Sequence, residues 1–397
     1  MTIRCGSGAR RAAVTARAVR EAADGALSSL RAQRADASPD VTFVFASPDH
    51  PQSEVLRELS ALLPGDVIAA SRAGELTERG STRGGIALMC IAWDGAAVHT
   101  LSPVRALQDP DEAAEALAAD ARANWDAGGR AGHIKTLSAL VAHGLGPGLE
   151  SLVAHYRKVT PSRHLIVGGG AADDGRLQTS WVGTGETSLP GGVAALHVSS
   201  NRAFGIGIGH GAVACSPRMT VTKARDNVVL ELDGEPAFEV YRRHAQAHGV
   251  TLEGDAIGPY LVANELGIFF FDDIVRIRAG TAVTPEGGIF CAGEVPESAV
   301  VAIVRGTPEA FVEAARDAAT RALRGAGGTC SGLLVFSCVT RGLAMGDEYE
   351  REVDALRAAV PPGTPIAGFL SYGEVARVKD KLDGLHNNTI VVLAIPD

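Results

Sequence analysis

At 397 residues with a formal net charge of −9, the chain has the length of two or three domains and lacks the basic balance of a dedicated nucleic-acid binder. Aromatic residues make up only 5% and glycine fills 47 positions, which suits α/β layers and argues against a disulfide scaffold or a disordered tail. The cysteines Cys5, Cys90, Cys215, Cys291, Cys330 and Cys338 form no CxxC pair and no zinc spacing. As free thiols, several of them in apolar runs, they point to a reducing, cytoplasmic setting.

The N-terminal stretch carries Arg4, Arg10 and Arg11 but no signal-peptide core, and no run approaches bilayer length, so no membrane insertion is expected. Its Arg-rich composition imitates a transit peptide, yet Val14, Val19, Ala23, Leu27 and Leu30 recur at helical spacing and predict an ordinary N-terminal helix within 1–40. VTFVF at 41–45 reads as a buried strand, followed by a turn through Ser47, Asp49 and Pro51. A helix over 53–63 ends at Pro64-Gly65, before a short strand, DVIAAS, a turn, RAGEL, and a strand at 85–93. Asp109-Pro110 opens a helix at 111–124, and 136–156 reads as a further helical region broken by a loop at 144–148. HLIVGGGAADDG at 164–175 predicts a strand running into a Gly-rich turn, and GGVAALHVSS and AFGIGIGHG predict antiparallel strands. Beyond 227 come a strand, a helix opened by Pro236, strands at 267–278 and 287–295, and a long helix from Thr307-Pro308 to about Arg324. The chain closes with a strand, LLVFSC, a helix, a strand, PIAGF, and a last strand, TIVVLAI.

An internal repeat is visible. TFVFASPDH at 42–50 resembles LLVFSCVTR at 333–341, and in each copy a helix ending at Pro-Gly leads to a short strand and a Gly-Glu pair, Gly74-Glu75 or Gly373-Glu374. Each copy is a β-α-β unit with parallel strands. The expectation is therefore an α/β protein with mixed sheets, built as two pseudo-symmetric halves (41–235 and 236–397) around a ligand cleft. Binding residues are expected at the carboxyl ends of the strands: Ser47, Ser71 and Arg72 in one copy, Cys338, Ser371 and Tyr372 in the other.

GIGIGHG at 205–211 is not placed like a dinucleotide-binding glycine motif and reads as strand glycines. The glycines at 168–170 either expose amides to an anion or permit a tight turn. Asp173-Asp174 suits a cation or acid–base work, and equally the capping of turn amides. His133, His143, His155 and His164 lack metal-ligand spacing, though haem needs only one imidazole. Cys338 lies beside Arg341, which would favour thiolate, and His386 is the candidate base of a nucleophile; the alternative is a small buried residue at a strand end. Glu75 and Glu374 suit a ligand donor or a structural cap, and Asn387 and Asn388 suit a turn before the last strand.

The ordered set FVFASPDH, DVIAASRAGEL, GGIAL and LIVGGGAADDG, then ELDGEPAFEVY, VRIR, LLVFSCVTRG, PIAGFLSYGEV and LHNNTIVVL, resembles the N- and C-terminal parts of FIST (F-box and intracellular signal transduction) proteins. The first copy departs from the family pattern at AASRAGE, where a Cys-Ser-Thr-like turn is expected. The resemblance implies a bacterial sensory domain for small ligands such as amino acids; some members bind haem and respond to nitric oxide. No kinase, cyclase or F-box pattern accompanies it, so the expected role is a small-molecule sensor acting through a separate signalling protein. The alternatives are a haem-bound gas sensor and an enzyme using Cys338.

Overall fold

The computed structural model describes residues 2–377 and 383–397. Its first unit runs β1 (Arg4–Arg10), α1 (Thr15–Arg31), β2 (Val41–Ala46), α2 (Gln52–Leu62), β3 (Asp66–Ser71), the hairpin β4 (Glu75–Thr77) and β5 (Gly80–Thr82), then β6 (Ile86–Ala92). The second repeats this sequence of elements: β7 (Ala97–Leu101), β8 (Arg105–Ala106), α3 (Pro110–Arg130), β9 (Lys135–His143), α4 (Gly148–Val159), β10 (Leu165–Ala171), the hairpin β11 (Trp181–Thr184) and β12 (Thr187–Pro190), then β13 (Gly192–Ser200). A third unit starts at β14 (Gly205–Gly209) and is interrupted by an inserted region. That region comprises β15 (Ala212–Ala214), β16 (Met219–Arg225), β17 (Val228–Leu232), β18 (Glu235–Pro236), α5 (Ala237–Ala247), α6 (Ile257–Ala263), β19 (Glu265–Phe270), β20 (Asp273–Arg278), β21 (Gly280–Val283), β22 (Ile289–Cys291) and β23 (Val300–Gly306). The third unit resumes with α7 (Pro308–Gly325), β24 (Gly332–Cys338), α8 (Val339–Met345), α9 (Glu350–Ala358), β25 (Ile366–Ser371), the hairpin β26 (Glu374–Arg377) and β27 (Gly384–His386), and β28 (Ile390–Ile395).

The sheets are mixed, as expected of the α/β class, and three of them share one plan. Their orders are β1-β6-β2-β3-β11-β12, β7-β13-β9-β10-β26-β27 and β14-β28-β24-β25-β4-β5. In each, one parallel pair (β2–β3, β9–β10 or β24–β25) is flanked by antiparallel partners. The outer hairpin of each sheet always comes from another unit: unit one donates to the third sheet, unit two to the first, unit three to the second. The two copies read from the sequence are thus members of a threefold set, with the third copy lying between them.

The second copy escaped the sequence pattern at β9, where the structure replaces an expected helix with a strand. TLSALVAH is buried almost throughout, and a short apolar run buried on both faces has no period that separates strand from helix. Gly168–Gly170 likewise lie within β10 and make no turn. A Cβ on Gly170 would stand 2.2 Å from the Tyr372 carbonyl oxygen, so these glycines serve close approach between units. The N-terminal segment is more than a helix, since β1 precedes α1 and pairs with β6 along its whole length.

The inner faces of the three sheets meet in one core, where the Phe45 and Phe369 rings stack at 4.7 Å and Phe336 packs edge-on at 5.6 Å. Helices cover the outer faces. In units one and three the first helix rests directly on the first strand because that strand is Gly-rich and the helix Ala-rich. A Cβ on Gly8 would meet the Ala22 oxygen at 2.2 Å, and one on Gly207 would meet the Ala318 oxygen at 1.8 Å. Gly207→Ala is therefore expected to lower unfolding stability by about 1–3 kcal/mol through overpacking. Gly129→Ala, in α3 with open space around it, should instead raise it by about 0.5–1 kcal/mol. Urea unfolding of both variants checks the pair, and equal effects would refute the close-packing account.

Candidate functional site

Because each hairpin crosses to a neighbouring sheet, the turn leading into it lies over that neighbour's strand ends. Three seams result. At the seam of units one and two the space is filled. Arg72, fully buried, donates to Glu75, to Asp174 at 2.9 Å and to the Gly85 oxygen at 2.9 Å, while Ser47 Oγ donates to Asp174 at 2.9 Å. Ser71 Oγ accepts the Trp181 amide at 2.8 Å. Asp173 accepts the amides of Leu177, Gln178 and Thr179, so the paired acids cap a turn and tie an arginine.

At the seam of units one and three, a cleft of about 390 Å³ lies between the Gly74-Glu75 turn and residues such as Gly342, Asp347 and Tyr349. One Glu75 oxygen there accepts from Thr82 Oγ1, and the other is ion-paired with Arg72. The seam of units two and three differs because the inserted region roofs it. It lines a cavity of about 430 Å³ that opens to the surface beside Leu343. Gly144, Leu145 and Leu149 of unit two form one wall, and Cys338, Thr340, Leu343, Tyr372, Leu385 and Asn387 of unit three form another. Asn227, Val262, Ala279, Thr281, Phe290 and Cys291 of the inserted region close it. This is a mainly apolar pocket with a few polar atoms, at strand ends and between domains, where small-molecule sites concentrate.

The FIST N domain matches residues 40–235 and the FIST C domain residues 237–377. The chain belongs to the FIST family. No curated protein matches it. FIST domains are associated with signal transduction and small-ligand sensing. The junction of the two FIST matches falls at β18, inside the inserted region, so the matched spans do not follow the borders of the three units. No helix among the described residues is long and apolar enough to cross a membrane.

The FIST cavity gathers Cys338, Tyr372 and Asn387 from the sequence candidates, with Glu374 and Ser371 directly behind. Ser47, Ser71, Arg72 and Glu75 belong to the other seams. Arg341 is buried elsewhere in unit three, donating to Glu352 and to the carbonyls of His210 (2.8 Å) and Phe311 (3.0 Å). The expected activation of Cys338 by Arg341 is therefore absent: that guanidinium is held by Glu352. Burial, with Glu374 and Glu265 nearby, pushes the Cys338 thiol well up, and Thr340 Oγ1 donates to its sulfur at 3.2 Å. His386 faces Glu374 in the β26–β27 pairing. It forms no hydrogen bond to Cys338, and neither ring nitrogen has a hydrogen-bond partner among the described residues. Iodoacetamide near neutral pH should leave Cys338 unlabelled in the folded protein and modify it only after denaturation; rapid native labelling would contradict this.

The haem ligands weighed from sequence lie away from the cavity. His143 bonds Ser180, His155 sits between Asp111 and Glu115, His164 is locked between Ser138 and Thr136, and His133 is buried beyond α3. No imidazole lines the cavity, so its walls do not fit haem held by histidine. Among the described residues no cluster of His, Cys, Asp or Glu fits a metal ion.

The residue missed from sequence is Glu265, at the start of β19. Asn388 Nδ2 bonds one oxygen, and the other has no hydrogen-bond partner among the described residues. A lone acid ahead of the apolar run LGIFF was the available signal. Ser371 Oγ (2.7 Å) and Thr389 Oγ1 (2.9 Å) donate to Glu374. Burial pushes both carboxyls up to about 8, so they hold their protons at neutral pH. The unfolded chain gives up those protons near the ordinary carboxyl value, so the two groups lower stability as pH rises. Burial also holds His164 and His197 down to about 3 and about 4, which affects stability only below about pH 6.5. Between about pH 6.5 and 8 stability should then fall, by up to about 1.4 kcal/mol per pH unit for each carboxyl. Glu374→Gln, uncharged throughout, should flatten that decline in urea unfolding; parallel curves for variant and wild type would disprove the assignment.

Proposed function

We propose that this FIST protein is a cytoplasmic small-molecule sensor whose ligand occupies the cavity between unit two, unit three and the inserted region. One observation carries the reading: of the three equivalent seams, the one roofed by an extra sheet holds a mostly apolar pocket of about 430 Å³, within the range of small-ligand pockets. A ligand there touches three parts of the chain at once. Any difference in its contacts between two arrangements of those parts shifts their balance, which is the physical content of sensing. The readout passes to a separate signalling protein. The family resemblance directs attention to amino acids and related metabolites, and the chemistry of the walls narrows that range. The haem and Cys338-enzyme readings have no comparable support, given the histidine placements and the buried, protonated thiol.

Leu343 is 58% exposed and lines the cavity, so Leu343→Trp should obstruct it without disturbing the core. Thermal-shift screening with amino acids, amides and small alcohols should give a hit that raises the melting temperature of the wild type and leaves Leu343→Trp unmoved. A hit that stabilises both equally would place the ligand elsewhere.

A further inference from the structure

The cavity walls carry enough detail to define the charge of what they accept. Glu150 is the one charged side chain on the lining, and it is already engaged. Its Oε1 accepts Arg278 and its Oε2 accepts the Glu294 amide at 2.6 Å. Arg278 is fully buried, and its remaining nitrogens donate to the carbonyls of Glu294 (3.0 Å), Ile277 (3.2 Å) and Leu385 (3.2 Å). Among the described residues, no guanidinium or ammonium on the wall is therefore free to meet a carboxylate.

The N-terminus of α4 also borders the cavity and has no side-chain cap. In isolation it would attract an anion. Glu150 stands in its first turn, so a negative charge already occupies the position that a ligand carboxylate would seek. Behind the opposite wall, Glu265 and Glu374 keep their protons at neutral pH and offer no ready counter-ion to an ammonium. A charged ligand group would lose its hydration here without gaining a partner, which is strongly unfavourable.

The polar atoms that remain are neutral. Asn387 Oδ1 accepts the Ala279 amide at 3.4 Å, which leaves its Nδ2 as a donor. Asn227 Nδ2 donates to the Cys291 oxygen at 2.9 Å, which leaves its Oδ1 as an acceptor. Neither remaining atom is taken by another hydrogen bond among the described residues, and each lies on a residue of the lining. These amide atoms and the hydroxyls of Thr281 and Thr340, set among leucine, valine and phenylalanine side chains, match a primary amide or a hydroxyl on an apolar body.

We propose that the cavity selects an uncharged, mainly apolar small molecule with one amide- or hydroxyl-type head, and rejects carboxylates, free amino acids included. The proposal rests on the cavity being the ligand site. Isothermal titration of the full chain with five probes of one aromatic body tests it: phenylacetamide, phenylethanol, phenethylamine, phenylacetate and phenylalanine. The amide and the alcohol should bind at least about tenfold more tightly than phenylacetate and phenylalanine, as burial of an unpaired charge requires. Asn387→Leu should erase most of the advantage of the amide and the alcohol over phenylacetate. Phenylacetate or phenylalanine binding as tightly as the amide would overturn the proposal and leave the cavity as the ligand site. Phenethylamine binding more tightly than both neutral probes would overturn it too, by revealing a counter-ion. Neutral probes that bind Leu343→Trp as tightly as the wild type would instead remove the cavity as the site.

Discussion

The exchange of hairpins between units is the constraint on which the rest of this structure depends. A β-α-β unit ends with a strand edge whose backbone groups need partners. Here β3, β10 and β25 each receive an antiparallel hairpin from another unit. The donation is cyclic, so none of the three sheets is completed by its own chain segment alone. That geometry draws the inner faces together into one aromatic and aliphatic core. It also sends each connecting turn across a seam, and the seams are where this protein has space for chemistry.

From a common plan the three seams diverge through a few residues. The strand registers align Ala46, Ala142 and Ser337, so Ser47, His143 and Cys338 occupy corresponding strand ends. Ser47 helps lock Asp174 and Arg72, which fills its seam. His143 bonds Ser180. Cys338 faces the cavity because the chain between β14 and α7 leaves the third unit and builds a roof. Symmetry therefore explains where the seams lie, and the insertion explains why one of them is lined by three parts of the chain.

Much of this was legible in the residues, for reasons that also mark where legibility ended. VTFVFA and LLVFSC are followed by helices of clear period and by Gly-Glu turns, so two copies of the unit could be recognised. The third was hidden because TLSALVAH has no alternation and LIVGGGA puts its glycines where a turn seemed due. Both features follow from burial on two faces and from backbone contact across a seam. RCGSGAR gave no strand signal because its glycines are selected by α1, against which a Cβ would collide. Site residues were harder still. Of the cavity lining, Cys338 and Tyr372 were marked by position within the repeat and Asn387 as a turn residue before the last strand, whereas Asn227, Thr281 and Phe290 come from a sheet that the repeat does not contain. Arg341 and Cys338 are close in sequence, but helical geometry and Glu352 turn the guanidinium away.

The turn at Tyr372-Gly373-Glu374 shows how the site and the fold are one object. Tyr372 lines the cavity, and its hydroxyl donates to Asp173 at 2.6 Å across the seam of units two and three. The Tyr372 amide bonds the Gly170 oxygen, and the Gly170 amide bonds the Gly373 oxygen. Glu374 then begins the hairpin that completes the second sheet. The cavity thus borders the segment that holds unit three to unit two. The roof contacts the same place, since Arg278 donates to Leu385 and Asn387 accepts from Ala279. Occupancy and the seating of the inserted region share these hydrogen bonds, so a ligand that favours one seating must also be favoured by it, as linkage requires.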